Sequence, residues 1–274
     1  MSFLHPDMLP YKLRRIGRML VPASARVTIA AGMQEFANSQ YRLYPSFYNN
    51  QRRVVNLKDS KKGEVCVIIG NGPSMRDFDL GRLRGTDAFC LNRGYLLWQA
   101  AKITPRYLVV TNPLVVEQFA SELASVDADH FLPWEHRRRF VGDNSMFLML
   151  RWKAHFSLDI AKGIWGGGTV TFAAMQIAYY LGYSRVVLIG VDHSFNFDGT
   201  PNSELVATGA DQNHFTPDYF SNGVKWHAPD LALSEISYAI ARDAFAADGR
   251  EIVDATEGGQ LQIFPKVCLE RMIL

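Results

Sequence analysis

The stretch VCVIIGNGPS, residues 65–74, decides the fold of this chain. Its first five residues are apolar, four of them are β-branched and none is charged, which predicts a strand buried on both faces. Two glycines and a proline then end the strand abruptly. In open α/β sheets, nucleotides bind at the carboxyl ends of such strands. The turn lacks a third glycine and a Gly-Lys-Ser/Thr sequence, so by itself it also fits a plain structural turn.

The composition is that of a globular protein, and the length suits one large domain or one domain with an appendage. The chain has 274 residues, of which 48% are hydrophobic and 20% charged. A net charge of +2 argues against a general nucleic-acid binder. Cys66, Cys90 and Cys268 are far apart and odd in number, which predicts free thiols in a reducing compartment. We find no apolar run of membrane-spanning length and no secretory signal, so we expect a cytoplasmic location.

Residues 1–62 differ from the rest and are interpreted as a helical or irregular N-terminal appendage. Residues 11–21, YKLRRIGRMLV, have apolar positions at helical spacing with basic residues between them. Such a helix fits either a peripheral contact with the inner membrane surface or packing on the main domain or on a second subunit. A homo-oligomer is therefore one expectation from this segment.

From residue 65 onward, strand and helix patterns alternate. Strands are predicted at 65–69, 87–91, 107–111, 130–132, 185–190 and 251–254, and helices at 77–84, 95–102, 114–125, 170–181 and 230–247. This rhythm predicts an α/β fold over residues 63–274, with a Rossmann-like, mostly parallel sheet and helices on both faces. Residues 133–166 are less regular. Residues 195–228 are long, polar and aromatic, and we interpret them as a lid over the strand ends.

Polar side chains follow successive predicted strands. In a parallel sheet these strand ends meet along one edge, and asparagine offers both a donor and an acceptor to a base, ribose or phosphate. The turn Gly166–Thr169 opens a helix whose free N–H groups suit an anion. The sequence therefore predicts a nucleotide site from the residues Asn71, Asn92, Arg93, Asn112, Gly167, Gly168, Thr169, Asp192 and His193.

These motifs resemble the DUF115 family, which includes 6-hydroxymethylpterin pyrophosphokinase-like proteins and motility accessory factors of flagellar glycosylation. The shared features are GNGPS, the asparagines at 92 and 112, GGGT at 166–169 and LGYSRVVLIGVDHSF at 181–195. The same frame is similar to the bacterial CMP-sialic acid transferases of glycosyltransferase family 42. The resemblance covers about residues 57–265, and it implies the fold and a nucleotide site more specifically than it implies the reaction.

The resemblance to the transferases implies an inverting, metal-independent glycosyltransferase that needs no cofactor. A CMP-activated nonulosonic acid would be transferred to a surface-glycan, lipid-linked or protein acceptor. Matching positions imply that Asn71, Gly72 and Ser74 hold the phosphate or ribose, and that Asn92 and Asn112 contact the ribose and donor. They further imply that Gly168 and Thr169 hold the donor's carboxylate and that Asp192 orients the cytidine.

The resemblance also implies catalytic residues in the lid. His214 is the candidate general base, because imidazole titrates near neutral pH, and Tyr219 is a candidate donor to the leaving phosphate. His193 is a further catalytic candidate. The chain departs from the transferases at two places. Asp218 stands near the position of a further histidine, and His193-Ser194 replaces a tyrosine.

Two other functions stay open at this point. A pyrophosphokinase would bind ATP and Mg²⁺ at the same edge, with Asp192 and Glu257 as metal ligands. Phosphoryl transfer needs dense positive charge, whereas Arg93 is the sole cation near a strand end, and this favours sugar transfer. The third function is a catalytically idle nucleotide-binding scaffold.

Overall fold

The computed structural model describes residues 32, 36, 38, 39 and 41–272. The predicted basic helix at residues 11–21 lies outside the described residues, and so do the membrane and oligomer contacts expected from it. Within the described residues, no helix has both the length and the apolar character that crossing a membrane requires.

The centre of the fold is a seven-stranded sheet in which every neighbouring pair is parallel. Its order is β11-β8-β1-β2-β3-β4-β5. The predicted α/β, Rossmann-like sheet is therefore confirmed. The strands are β1 (Val65–Ile69), β2 (Asp87–Leu91), β3 (Tyr107–Val109), β4 (Asp129–Pro133), β5 (Ser145–Leu148), β8 (Arg185–Ile189) and β11 (Glu251–Asp254).

Helices cover both faces of the sheet. They are α1 (Pro45–Asn56), α2 (Tyr95–Ala101), α3 (Pro113–Ala124), α4 (Val170–Leu181) and α5 (Leu231–Ala247). Alternate residues of β1 point to opposite faces. Cys66 and Ile68 pack in a cluster with α4 and α5, while Val67 and Ile69 pack in a cluster with α2 and α3. A strand buried on both sides explains the unbroken apolar run in the sequence.

Helix α1, which precedes the expected boundary at residue 62, packs on the sheet. Val54 is fully buried, and Phe47 is 6% exposed. The amide of Asn50 accepts from the N–H of Phe147 at 2.8 Å and donates to its carbonyl oxygen at 2.7 Å. Helix α1 therefore covers the edge strand β5.

Three local expectations differ from the structure. Residues 77–84 form no α-helix, because only a 3₁₀ turn at Leu80–Leu83 is present. The irregular region 133–166 contains β5 and a small parallel pair, β6 (Leu150–Arg151) with β7 (Ile164–Trp165). The lid has structure of its own, an antiparallel hairpin of β9 (Glu204–Val206) and β10 (Lys225–His227).

All three cysteines are free thiols, as predicted. Cys66 and Cys90 are buried in β1 and β2, and Cys268 is exposed. Burial raises the pKa of both buried thiols, Cys66 with a smaller contribution from the charge of Asp87. These two thiols are therefore inert core residues.

Candidate functional site

The candidate site lies where the strand order reverses. From β1 the sheet continues through β2–β5 on one side, and β8 and β11 lie on the other side. The turns after β1 and β8 approach closely, since the N–H of Gly72 donates to the carbonyl of Gly190 at 3.0 Å. A Cβ on Gly70 would lie 2.2 Å from that same carbonyl oxygen. Only glycine permits this approach. The two turns meet at the crevice where open α/β sheets bind ligands.

A cavity of about 460 Å³ opens at this crevice, between the sheet edge, the first turns of α4 and α5, and the lid. The structure brings most of the predicted site residues to it. Ser74, Arg93 and Gly167 do not line it. The predicted residues that do are Asn71, Gly72, Asn92, Asn112, Gly168, Thr169, Asp192, His193, His214 and Tyr219.

Asp192 and Ser74 form a closed polar pair beneath the cavity. The N–H and the hydroxyl of Ser74 donate to Oδ1 and Oδ2 of Asp192 at 3.0 and 2.7 Å. A Cβ on Gly72 would lie 1.8 Å from Oδ2 of Asp192, so the pair can form only beside a glycine. Asp192 thereby fixes the GNGPS turn to the end of β8, and each carboxylate oxygen keeps a lone pair for a ligand donor.

The three strand-end asparagines all line the cavity, but their side chains differ in their hydrogen bonds. The amide of Asn71 donates to the carbonyl of Leu91 at 3.0 Å and to the hydroxyl of Tyr219 at 2.9 Å. Asn112 caps α3 with its Oδ1. Asn92 has a φ of +49°, and its buried Oδ1 has no hydrogen-bond partner among the described residues. A buried oxygen without a partner costs free energy, so Asn92 offers an acceptor that a ligand would satisfy.

The turn Gly166–Thr169 presents the N-terminus of α4 to the cavity. Gly167 and Gly168 both have positive φ angles, +59° and +78°. A Cβ on Gly167 would lie 2.4 Å from the ring of Phe172, so this residue packs inward instead of lining the cavity. Thr169 caps α4, and its Oγ1 accepts from the N–H two residues later at 3.3 Å. The free N–H groups and dipole of this helix end favour an anionic group.

His214 is held by the carboxylate of Asp211. Its Nδ1 lies 2.7 Å from Oδ2 of Asp211. The N–H of Phe220 also donates to Oδ2, and the N–H of Asn213 donates to Oδ1. Burial acts to raise the pKa of Asp211, but the hydrogen bond and charge of His214 and the two N–H donors outweigh it and lower that pKa. An ionised carboxylate only accepts, so Nδ1 carries a proton, and in the neutral form of the ring the lone pair is on Nε2.

The imidazole of His214 stacks on Tyr219, with ring centroids 3.9 Å apart and an interplanar angle of 9°. Tyr219 is 1% exposed, and its hydroxyl accepts from Asn71 and, at 3.3 Å, from the N–H of Arg93. Burial raises the pKa of Tyr219 well above its usual value. The hydroxyl therefore stays protonated and is suited to donate a hydrogen bond, not to act as a base.

His193 reaches the cavity from the turn after β8. Its φ is +55°, and its Nε2 lies 2.9 Å from Oε1 of Glu235 on α5. The imidazole packs near Tyr238, with ring centroids 6.4 Å apart, and the hydroxyl of Tyr238 lies 3.4 Å from Oγ1 of Thr169. The structure therefore brings both predicted histidines to the cavity, each beside a carboxylate.

Arg93 holds the lid instead of lining the cavity. It is 7% exposed, and its guanidinium donates to the backbone carbonyls of Tyr219 and, at 3.2 Å, of Asp218. The guanidinium carbon lies 3.8 Å from the ring centroid of Phe119 on α3. All of these contacts are with other residues of the protein. The geometry therefore does not favour the contact with the nucleotide-sugar donor that the place of Arg93 after β2 suggested.

Sequence reasoning assigned no role to Asp211, Trp226 or His227. Trp226 and His227 lie on β10 and line the cavity. Burial lowers the pKa of His227, against the opposing charges of Glu204 and Glu117. The Asp-x-x-His spacing of residues 211–214 was the available signal for the carboxylate partner, whereas nothing in the local pattern marked β10.

Comparison with known proteins gives one solved structure. It is described as "Structure of MAf glycosyltransferase from Magnetospirillum magneticum AMB-1", and the chain resembles it at 15% sequence identity with a TM-score of 0.48. The likeness covers 81% of this chain and 38% of that one, so this chain spans well under half of the neighbour's length. No protein-family model and no curated protein matches the chain. A likeness of this degree carries no inference about donor, acceptor or reaction.

Proposed function

We propose that the chain is a glycosyltransferase that moves a nonulosonic acid from a CMP-activated donor to a hydroxyl group of a glycan, lipid-linked or protein acceptor. The observation that carries the proposal is the His214–Asp211 pair, which lies at the cavity over the switch point of the sheet. The cavity is where an open parallel sheet binds a nucleotide, and the pair is the arrangement of an oriented general base.

The proposed reaction is a single displacement. The acceptor oxygen forms a bond to the anomeric carbon of the donor, and its proton passes to Nε2 of His214. The bond between the anomeric carbon and the phosphate oxygen breaks, and CMP leaves with the electron pair. Asp211 keeps the imidazole in the tautomer that can accept the proton and stabilises the imidazolium that forms. No redox partner or metal ion takes part in this scheme.

Two features of the wall fit the donor. The unpartnered Oδ1 of Asn92 matches a hydroxyl or amino group of the nucleoside. The α4 N-terminus at Thr169 matches the sugar carboxylate or the phosphate. Among the described residues that line the cavity, none is a lysine or an arginine. Phosphoryl transfer instead relies on clustered cations, so the proposal favours sugar transfer over a pyrophosphokinase.

The first test is a thermal-shift panel with CMP, CDP, ATP, GMP and UDP, each with and without Mg²⁺. A nucleotide present at a hundred times its dissociation constant stabilises the folded state by about 2.7 kcal/mol. We expect CMP or CDP to stabilise the protein without Mg²⁺. Stabilisation by ATP only with Mg²⁺ would support the pyrophosphokinase, and no stabilisation by any nucleotide would refute the donor site.

The matched variant for this panel is Asn92→Gly. Glycine adopts the positive φ of this position without strain, so the change removes the amide and leaves the backbone intact. Asp59→Gly is the control, because Asp59 also has a positive φ, +54°, and lies outside the cavity. We expect Asn92→Gly to weaken the CMP shift and Asp59→Gly to leave it unchanged.

The catalytic half of the proposal is tested by His214→Ala with CMP-sialic acid as the probe donor. General base catalysis contributes a factor of about 10² to 10⁴ in rate. We expect CMP release to fall by that factor while CMP still binds. An unchanged rate of CMP release would refute the role of His214.

A further inference from the structure

The lid carries a second concave surface that adjoins the nucleotide cavity at His214. We name it the lid groove. It lies between residues 196–198, residues 205–214 and the rings of Phe220 and Trp226, and its volume is about 340 Å³. This volume is within the range of small-molecule sites, about 300–1,000 Å³. The groove shares Asn213, His214, Phe220 and Trp226 with the nucleotide cavity.

The shared wall contains the proposed base. The ring of His214 contacts Phe220 edge-on, with centroids 5.1 Å apart, and Phe220 stacks on Trp226 at 5.8 Å. The two spaces therefore adjoin at these side chains. The base must contact the acceptor hydroxyl while that hydroxyl lies beside the donor, and a residue that lines two adjoining cavities meets that requirement.

The chemistry of the lid groove suits a neutral sugar ring. Trp226 is half-buried, Phe197 lies edge-on to it at 6.4 Å, and both line the groove, so aromatic surface is present for the apolar side of a pyranose. Asp198 and Gln212 are exposed at the rim and offer oxygen and nitrogen atoms to sugar hydroxyls. The carboxylates of Asp198 and Asp211 disfavour an anionic ligand here.

From this arrangement we propose that the lid groove is the acceptor subsite and that it binds a neutral hexose or N-acetylhexosamine ring. The inference rests on the proposed function. The bound sugar presents a hydroxyl to His214, which takes its proton as the oxygen forms the new bond to the anomeric carbon and CMP departs. The lid is then part of both subsites, because one set of aromatic residues lines both of them.

Methyl NMR on the full chain tests the two subsites separately. Val206 and Ala207 line only the lid groove, whereas Ala228 and Leu231 line only the nucleotide cavity. With ¹³C-labelled alanine, leucine and valine methyl groups, the protein is titrated with CMP and, separately, with glucose, galactose, N-acetylglucosamine and N-acetylgalactosamine. We expect CMP to shift the signals of Ala228 and Leu231, and at least one sugar to shift those of Val206 and Ala207.

Asp198→Ala and Asp218→Ala form a matched pair of variants, since both carboxylates are exposed in the lid and only Asp198 lines the groove. Loss of a hydrogen bond to a charged group should weaken sugar binding about tenfold in Asp198→Ala, and Asp218→Ala should leave it unchanged. Sugars that shift only the nucleotide-cavity signals, or none, overturn the acceptor subsite while CMP binding stands. If a sugar shifts the methyl signals of the lid groove and CMP shifts no signal, the sugar site is supported and the proposed donor is refuted.

Discussion

Asp211→Asn is the change that most directly tests the lid geometry. The side chain of Asp211 is 5% exposed. Its Oδ2 accepts from His214 and from the N–H of Phe220, and its Oδ1 accepts from the N–H of Asn213. Asparagine keeps one acceptor oxygen and replaces the other by an NH₂ group. The oxygen will take the Oδ2 position, where two donors converge, and the NH₂ group will then face the N–H of Asn213.

The expected loss of stability follows from the number of hydrogen bonds that the substitution removes. One hydrogen bond to a charged group is lost outright, and such bonds contribute about 1.5–3 kcal/mol. Because the folded-state pKa of Asp211 is lowered, its stabilisation is fully present above the unfolded-state pKa of about 3.9 and is lost as the pH falls through the folded-state value. The difference between the wild type and the variant should therefore be constant near neutral pH and should vanish in strong acid.

Amide hydrogen exchange is the assay, because the lid can open without global unfolding. A loss of about 1.5–3 kcal/mol corresponds to exchange that is about 10- to 150-fold faster at the N–H groups of Asn213 and Phe220. Asp218→Asn is the control, since Asp218 is exposed in the same lid and should change stability by less than about 0.5 kcal/mol. Unchanged exchange in Asp211→Asn, or an equal effect in Asp218→Asn, would refute the reasoning.

Three further changes test the frame of the site. Gly70→Ala should lower the free energy of unfolding in urea by about 1–3 kcal/mol or more, because its Cβ would meet a backbone oxygen, while Gly166→Ala, with nothing within 4 Å, should be neutral. Arg93→Lys should speed limited proteolysis within residues 195–228, because lysine lacks the planar fork, and the exposed Arg138→Lys should not. Burial lowers the pKa of His130, so its contribution to stability is present above about pH 6.5 and is lost as the pH falls; His130→Gln should reduce that acid-side decline in urea unfolding.

The elements that the sequence predicted best are those with uninterrupted apolar runs. VCVII and RVVLI became the neighbouring central strands β1 and β8, because a strand covered on both faces has no polar positions to obscure its pattern. Helix α4 was predicted over its full length, with Thr169 and Gly182 at its two ends. For elements that have one face toward solvent or that lie at the edge of the sheet, the apolar pattern in the sequence was weaker.

The N-terminal helix and β5 illustrate that weakness. Helix α1 has few apolar residues, and its attachment depends on Asn50, whose amide pairs with the backbone of β5. Neither partner is recognisable alone, because a buried asparagine looks like a surface residue and Ser145–Leu148 is a short strand after a polar turn. Long-range hydrogen bonds of this kind leave no periodic signal in either segment.

At the site, the sequence predicted which residues lie at the edge of the sheet, but it did not predict where their side chains point. A strand end places a residue at the edge of the sheet, which is why Asn71, Asn92 and Asp192 share one cavity. Whether a side chain faces the ligand or the protein depends on the local backbone and on the lid, which belongs to a distant part of the sequence. Asn92 has a positive φ and its oxygen stays unpartnered, while the next residue, Arg93, turns to the lid backbone.

The lid also explains why the strand-end residues cannot be treated as independent ligand contacts. Asn71 and Arg93 both donate to the hydroxyl of Tyr219, and the ring of Tyr219 supports the imidazole of His214. Removing Asn71 would therefore disturb the proposed base as well as any nucleotide contact, and loss of nucleotide binding in Asn71→Ala would not identify a contact residue. Asn92 lacks such a link to the lid, and for that reason its removal separates ligand recognition from lid structure.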